Sequence, residues 1–233
     1  MVQIFLVRHG QANSDAKDEI SYDKLSPLGK LQAGWLGQYF KKNEFSFDAC
    51  FSGTLFRQRD TADLLETHPQ KEIIRDPRLN EIQYYTLSTL VEEQFGKQPP
   101  KSGLDFEEHF EFIMSKWKAA EIVNAPEPYV DFVERVSQVS DVLKDSGDRV
   151  LVVTSGGIIA KVLQNCLDLS DSSMIKFLLA SMNTGVTTLN YSNGQFNVEQ
   201  VNALPHLDHF SSCLLYTSPS PRDATLSRMP SSA

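Results

Sequence analysis

The chain has 233 residues, 41% of them apolar, and a formal net charge of −8. That length fits one domain with a sizeable core, and the acidic balance speaks against general nucleic-acid binding, although a phosphate site can stay locally basic inside an acidic protein. Val2 to Val7, the first apolar run, is too short for a membrane span and lacks the basic lead-in of a secretory signal. Cys50, Cys166 and Cys213 show neither metal spacing nor a paired framework, so a cytoplasmic protein without membrane association is expected.

The opening strand runs directly into Arg8-His9-Gly10. It delivers a permanently charged guanidinium, an imidazole and a glycine to one point, where backbone N–H groups can approach a ligand closely. A polar loop is expected over Gln11 to Lys24. Ser26 followed by Pro27 is a helix start, and Leu31, Trp35, Leu36 and Phe40 give the helix from Pro27 to about Lys41 an apolar face. Phe47 to Ser52 reads as a short strand, Leu55 to Thr67 as a helix with Ala62 and Leu65 inward, and Glu72 to Arg75 as a further strand. This alternation is the grammar of a mostly parallel sheet with helices on both faces.

The middle of the chain, Ile82 to Pro128, predicts helices over Leu87 to Phe95 and Leu104 to Ala120, broken at Gly96 to Gly103. It reads as a small helical lid insertion whose aromatics Phe106, Phe110, Phe112 and Trp117 either cover a site or pack on the sheet, packing being the expectation for most of them. Tyr129 to Lys144 is an amphipathic helix. The strand Arg149 to Thr154 follows, then Ser155-Gly156-Gly157 and a helix from Ile158 to Cys166. Thr187 to Asn190 and Phe196 to Gln200 form a hairpin around a Ser-Asn-Gly turn.

In an open α/β sheet ligands sit beyond the carboxyl ends of the strands, so His9 and Ser155 point to one crevice. A local reading of Ser155 is a helix cap, with Gly156 and Gly157 easing packing. A serine-hydrolase elbow is disfavoured, because the first glycine of G-x-S-x-G is Val153 here. Arg57 opens a helix after a strand and can reach the same crevice, whereas Arg59 reads as a solvated charge. Glu81, on the loop after Arg78-Leu79-Asn80, has the chemistry to protonate a leaving alkoxide. His68, His109, His206 and His209 are expected on exposed loops or helix surfaces.

Leu6-Val7-Arg8-His9-Gly10, Leu25 through Gly29 with Gln32-Ala33, Ser52-Gly53-Thr54-Leu55 with Arg57 and Thr61-Ala62, Leu79-Asn80-Glu81, Phe132 with Arg135, the Thr154 junction, and Asn183 before Val186-Thr187 occur in that order. This ordered set resembles the histidine phosphatase superfamily, the phosphoglycerate mutase-like fold. The resemblance implies a three-layer α/β sandwich. By this resemblance His9 becomes transiently phosphorylated, Arg8 and Arg57 hold the phosphoryl oxygens, and Glu81 serves as acid and then base. Asn13, Ser155 and Gly156 complete the phosphate seat, with no metal or other cofactor. The implied partner is a phosphorylated small molecule, and the oligomeric state stays open.

One position departs from the family pattern: His-Gly-Gly usually follows the late strand, and Ser155 stands where that second His belongs. A hydroxyl donates one hydrogen bond but supplies no imidazolium charge. The expected activity is therefore a phosphomonoesterase, with a noncatalytic phosphoester-binding protein as the alternative and a phosphoglycerate mutase behind both. Residues 1–212 form the expected domain. Cys213 to Ala233, rich in Ser and Pro, resembles a translated transposon-end sequencing adapter and is set aside as a disordered non-native tail, with the natural terminus expected beyond Ser212. Without its Arg222, Arg228 and Asp223 the body carries −9.

Overall fold

The computed structural model describes residues 1–13, 15–67, 72–100 and 103–207, the side chains of 103 and 104 excepted. His68, His209, Cys213 and the adapter-like tail lie outside the described residues. In chain order the elements are β1 (Val2–Arg8), α1 (Glu19–Tyr22), α2 (Pro27–Lys42), β2 (Ala49–Ser52), α3 (Phe56–Leu64), β3 (Ile74–Arg75), a 3₁₀ turn (Pro77–Leu79), α4 (Tyr84–Phe95), α5 (Gly103–Lys118), α6 (Tyr129–Leu143), β4 (Arg149–Thr154), α7 (Gly156–Leu167), α8 (Asp171–Ala180), β5 (Val186–Ser192) and β6 (Gln195–Ala203). The six strands form one sheet in the order β3-β2-β4-β1-β5-β6. Its first four strands run parallel, and β5 and β6 add antiparallel at the edge.

The two faces follow from the period of two along the central strands. Ile4 and Leu6 pair in register with Val150 and Val152 and enter one core with helices α4 to α8. Phe5 and Val7 pair with Leu151 and Val153 and enter the other, beneath Leu36 and Phe40 of α2 and Ala62 of α3. Burial on both faces is why these strands read as unbroken apolar runs, each fully buried Leu, Val or Phe contributing about 1.5–3 kcal/mol.

Pro27 begins α2 as expected, with the Ser26 hydroxyl accepting from Gly29 N at 3.0 Å. At the hairpin, Asn193 and Gly194 both take positive φ, the two-residue turn whose twist matches its strands. Three expectations need correction. The loop Gln11 to Lys24 contains α1, started by a capping box between Asp18 and Ser21. Helix α8 had gone unread, although Ser170 caps it and Met174, Ile175 and Leu178 are its buried stripe. His109 and His206 are buried, not exposed: His109 lies behind Tyr84, and His206 sits on Thr184. Of the middle aromatics, Phe106, Phe110 and Trp117 belong to the larger core, and Phe106 also lines the crevice.

Candidate active site

Chain crossing at the carboxyl ends of β1 and β4 brings Arg8, His9, Arg57 and Glu81 to one crevice, walled by Glu19, Tyr22, Ile82, Tyr84, Tyr85 and Phe106. Gly10 has no room for a side chain, because a Cβ there would strike the backbone of Gly29 at the start of α2. Gly10 N donates to Thr61 Oγ1 at 2.9 Å, and Thr61 donates in turn to Arg57 O at 2.7 Å. The turn after β1 and the first turn of α3 are thereby locked together.

His9 is 2% exposed. Its Nδ1 lies 2.7 Å from Gly10 O, and its Nε2 lies 3.2 Å from Arg57 Nε. A carbonyl oxygen only accepts and the guanidinium N–H only donates, so the two contacts assign the ring proton to Nδ1 and direct the Nε2 lone pair toward Arg57. Asn183 Nδ2 donates to His9 O at 3.1 Å, and Thr184 N donates to Arg8 O at 3.0 Å, which fixes the backbone of the same turn from behind.

Arg57, 2% exposed, is held at several points. Asp23 Oδ1 accepts from its Nη1 at 3.0 Å and from its backbone N at 3.1 Å, while Oδ2 accepts from Phe56 N at 2.9 Å. Asp23 thus caps α3, whose own N-cap residue Leu55 makes no side-chain bond, and pins the guanidinium that α3 carries. Tyr22 lies under that guanidinium, 4.9 Å from Cζ to the ring centre. Arg8, also buried, donates from Nη1 to Ser181 O, and its Nε is buried without a hydrogen-bond partner.

Glu81 reaches the crevice because its loop is tied down on both sides. Arg135 donates from Nη1 to the carbonyls of Arg78 and Asn80, both at 2.7 Å, and Thr154 Oγ1 donates to Leu79 O at 2.7 Å. The Glu81 carboxylate accepts from Gly157 N at 3.0 Å and from Ile82 N at 3.0 Å. A Cβ on Gly157 would run into Glu81 Oε1, so the glycine is what admits the carboxylate to the start of α7.

Ser155 begins α7 but makes no side-chain cap bond; its hydroxyl accepts from Gln58 Nε2 at 2.8 Å, so the expected capping role is corrected. It is fully buried and does not itself line the crevice. Gly156, the first residue of α7, is likewise buried. Asn13 stands apart from the expected set, its Nδ2 donating to Ser21 O at 2.8 Å and so bracing α1. Arg59 is exposed as expected. Glu19, Tyr22, Asp23 and Gln58 were missed; the Asp18 to Ser21 capping pattern was the available signal for α1 itself, and not for its place beside the site.

Burial raises the pKa of Glu19, against a 2.7 Å hydrogen bond from Tyr85 N. Burial also raises the Tyr85 hydroxyl, with the nearby Tyr22, Glu19 and Tyr84 adding to the effect. Among the described residues no cluster of three or more His, Cys, Asp or Glu side chains is placed to hold a metal, and no helix is long and apolar enough to cross a membrane.

The family model for the histidine phosphatase superfamily (branch 1) matches residues 4–204. The chain belongs to that superfamily. Within it, a metal-independent phosphoserine phosphatase of Arabidopsis thaliana is 27% identical over 189 residues, covering 78% of this chain and 75% of that protein. A 2-carboxy-D-arabinitol-1-phosphatase of Triticum aestivum is 36% identical over 100 residues, 41% of this chain, which spans only 20% of that relative's length. Among solved structures, a phosphoserine phosphatase of Entamoeba histolytica in complex with phosphoserine superposes with a TM-score of 0.64 at 22% identity, covering 89% of this chain and all of that one. The alpha-ribazole phosphatase of Shigella flexneri superposes with a TM-score of 0.66 at 18% identity, covering 87% of this chain and 96% of that one. These two likenesses establish that the histidine phosphatase fold spans the described body.

Proposed function

We propose that the protein is a phosphomonoesterase that works through a phosphohistidine on His9 and acts on a small phosphorylated metabolite or phosphoester. The orientation of the imidazole carries this reading: Nδ1 is spent on Gly10 O, and Nε2 faces Arg57 in a crevice that also holds Arg8 and Glu81. The phosphatase relatives support the same chemistry. In the first step the Arg57 hydrogen bond passes from Nε2 to a phosphoryl oxygen. The Nε2 lone pair then attacks phosphorus in line, the bond from phosphorus to the ester oxygen breaks, and the Glu81 carboxyl gives its proton to the departing alkoxide. In the second step water attacks the phosphohistidine, Glu81 takes its proton, and inorganic phosphate and the free imidazole are restored.

Ser155 is the point of tension. It fills the place of the second family histidine, and its hydroxyl is engaged by Gln58. Loss of one preorganised donor costs about 10² to 10³ in rate in comparable sites. This substitution favours, as a second reading, a phosphoester-binding protein without turnover. The deciding experiment uses the full chain, His9→Ala and Ser155→His with p-nitrophenyl phosphate, together with acid-quenched trapping of a ³²P-labelled phosphoester. Turnover and label in the parent, both absent in His9→Ala, establish the enzyme. A parent that binds phosphate without turnover, and gains turnover in Ser155→His, establishes the binding protein instead.

A further inference from the structure

The crevice is built asymmetrically around its two arginines. Among the described residues that line it, Arg8 and Arg57 are the basic side chains and Glu19 and Glu81 the acidic ones. The adjoining groove shares Glu19, Arg57 and Glu81 and adds Asp23, again with no further cation among its described residues. A phosphoryl dianion therefore uses the whole positive complement of the described lining, of which Arg57 is already paired with Asp23 at 3.0 Å. The far wall is aromatic: Tyr22 and Tyr85 have ring centres 5.8 Å apart, and Tyr84 and Phe106 5.1 Å apart. Exposed Ile20 and Phe56 stand near the rim, in α1 and at the start of α3.

From this arrangement, and resting on the phosphomonoester reading above, we infer that the alcohol portion of the substrate is aromatic and uncharged, and that Glu19 selects against a second anionic group. A carboxylate on the leaving group would stand beside Glu19 with no counter-charge among the described lining residues, in a poorly solvated place where like charges repel strongly. A flat ring finds the side chains of Tyr22 and Tyr85 instead. Glu19 also has a scaffolding contact, since it accepts from Tyr85 N at the start of α4, whose N-cap Gln83 makes no side-chain bond. Its burial-raised pKa agrees with a site hostile to added negative charge.

Binding of three non-hydrolysable phosphonates to the full chain, followed by calorimetry, tests this independently of turnover. Benzylphosphonate is expected to bind at least about tenfold more tightly than 3-phosphonopropionate, with 2-aminoethylphosphonate between them. Glu19→Gln keeps an acceptor for Tyr85 N and removes the charge; it should narrow the first gap to about threefold or less. Equal or tighter binding of the carboxylate ligand, first rank for the amine, no binding of any of the three, or an unchanged gap in Glu19→Gln overturns the inference. Should Glu19→Gln fail to fold, the ranking in the parent still decides. The expected ranking without label on His9 sinks the phosphatase reading alone, whereas label on His9 with a reversed ranking sinks this inference alone.

Discussion

The carboxyl ends of β1 and β4 lie side by side in the sheet, yet they serve the crevice in different ways. The β1 end presents side chains: Arg8 and His9 line the cavity, and Asn183 and Thr184 fasten their carbonyls from behind. The β4 end presents backbone, since Ser155 is sealed beneath Gln58 while Gly157 N holds the Glu81 carboxylate. A strand end can thus contribute to the candidate site with almost no functional side chain of its own, provided a glycine lets a distant loop approach its helix N-terminus. The sharpest way to break this contrast is at β1. His9→Ala is expected to abolish the labelled phosphoenzyme and to lower kcat/KM by about 10³-fold or more, because the proposed nucleophile is gone. Residual activity within tenfold of the parent on an aryl phosphate would place the nucleophile elsewhere.

The second largest effect concerns the backing of β1. Thr184, at φ 56°, donates its hydroxyl to Asn183 O at 2.7 Å and lies 2.8 Å from His206 Nε2, which therefore carries the ring proton. Nδ1 of His206 is buried without a partner, so protonating it would place an unmatched charge in the interior, and burial pushes its pKa down to about 4. The unfolded chain binds this proton near pH 6.5 and the folded chain does not until about pH 4. Stability from this residue is full above the unfolded value and falls as pH drops through that window, by about 3 kcal/mol when complete. Urea unfolding midpoints at pH 7.5 and pH 5 measure it. His206→Gln should flatten the dependence relative to the parent, and identical slopes in the two proteins would sink the account.

The same contrast explains what was legible in the sequence. β1 and β4 could be read because strands buried on both faces leave continuous apolar runs, and His9, Arg8 and Arg57 because each sits where a strand ends or the next helix begins. Glu81 was visible through its loop. Asp23, Glu19 and Gln58 could not be found this way, because their roles exist only through partners far along the chain: Arg57 is 34 residues from Asp23, Tyr85 is 66 from Glu19, and Ser155 is 97 from Gln58. His206 read as a surface residue for the same reason, since nothing local announces Thr184 above it. Asn13 shows the converse, a polar side chain beside the motif that the tertiary contacts turn toward Ser21.

Between the two strand ends stands Arg57, and here the expected loss is of intermediate size. Arg57→Lys keeps a positive charge but has no planar group to meet His9, Asp23 and a phosphoryl oxygen together; kcat/KM should fall by about 10²-fold. Asp23→Asn tests whether the ion pair positions that guanidinium. It keeps an acceptor for Phe56 N and removes the charge, so a smaller fall than in Arg57→Lys is expected, whereas an equal or larger fall would give Asp23 a direct part in the chemistry.

The smallest effects should come at β4, and their order is the informative part. Gly157→Ala alters no functional group, but its Cβ intrudes on Glu81 Oε1, and displacing a proton donor by even an ångström can cost about 10²-fold. Helix backbone on one side and the Arg135-braced loop on the other limit relaxation, so a loss of about tenfold or more in kcat/KM is expected, smallest for substrates with good leaving groups that need little protonation. Ser155→Ala removes the hydroxyl, leaving one Gln58 N–H bond to Leu79 O intact, and a neutral hydrogen bond of this kind is worth about 1 kcal/mol. Its effect on kcat/KM should stay within a few-fold. If instead Ser155→Ala were the more damaging of the two, with the leaving-group dependence unchanged in Gly157→Ala, the serine would be acting directly on the phosphoryl group and the β4 end would have to be counted, like β1, as a donor of side-chain chemistry.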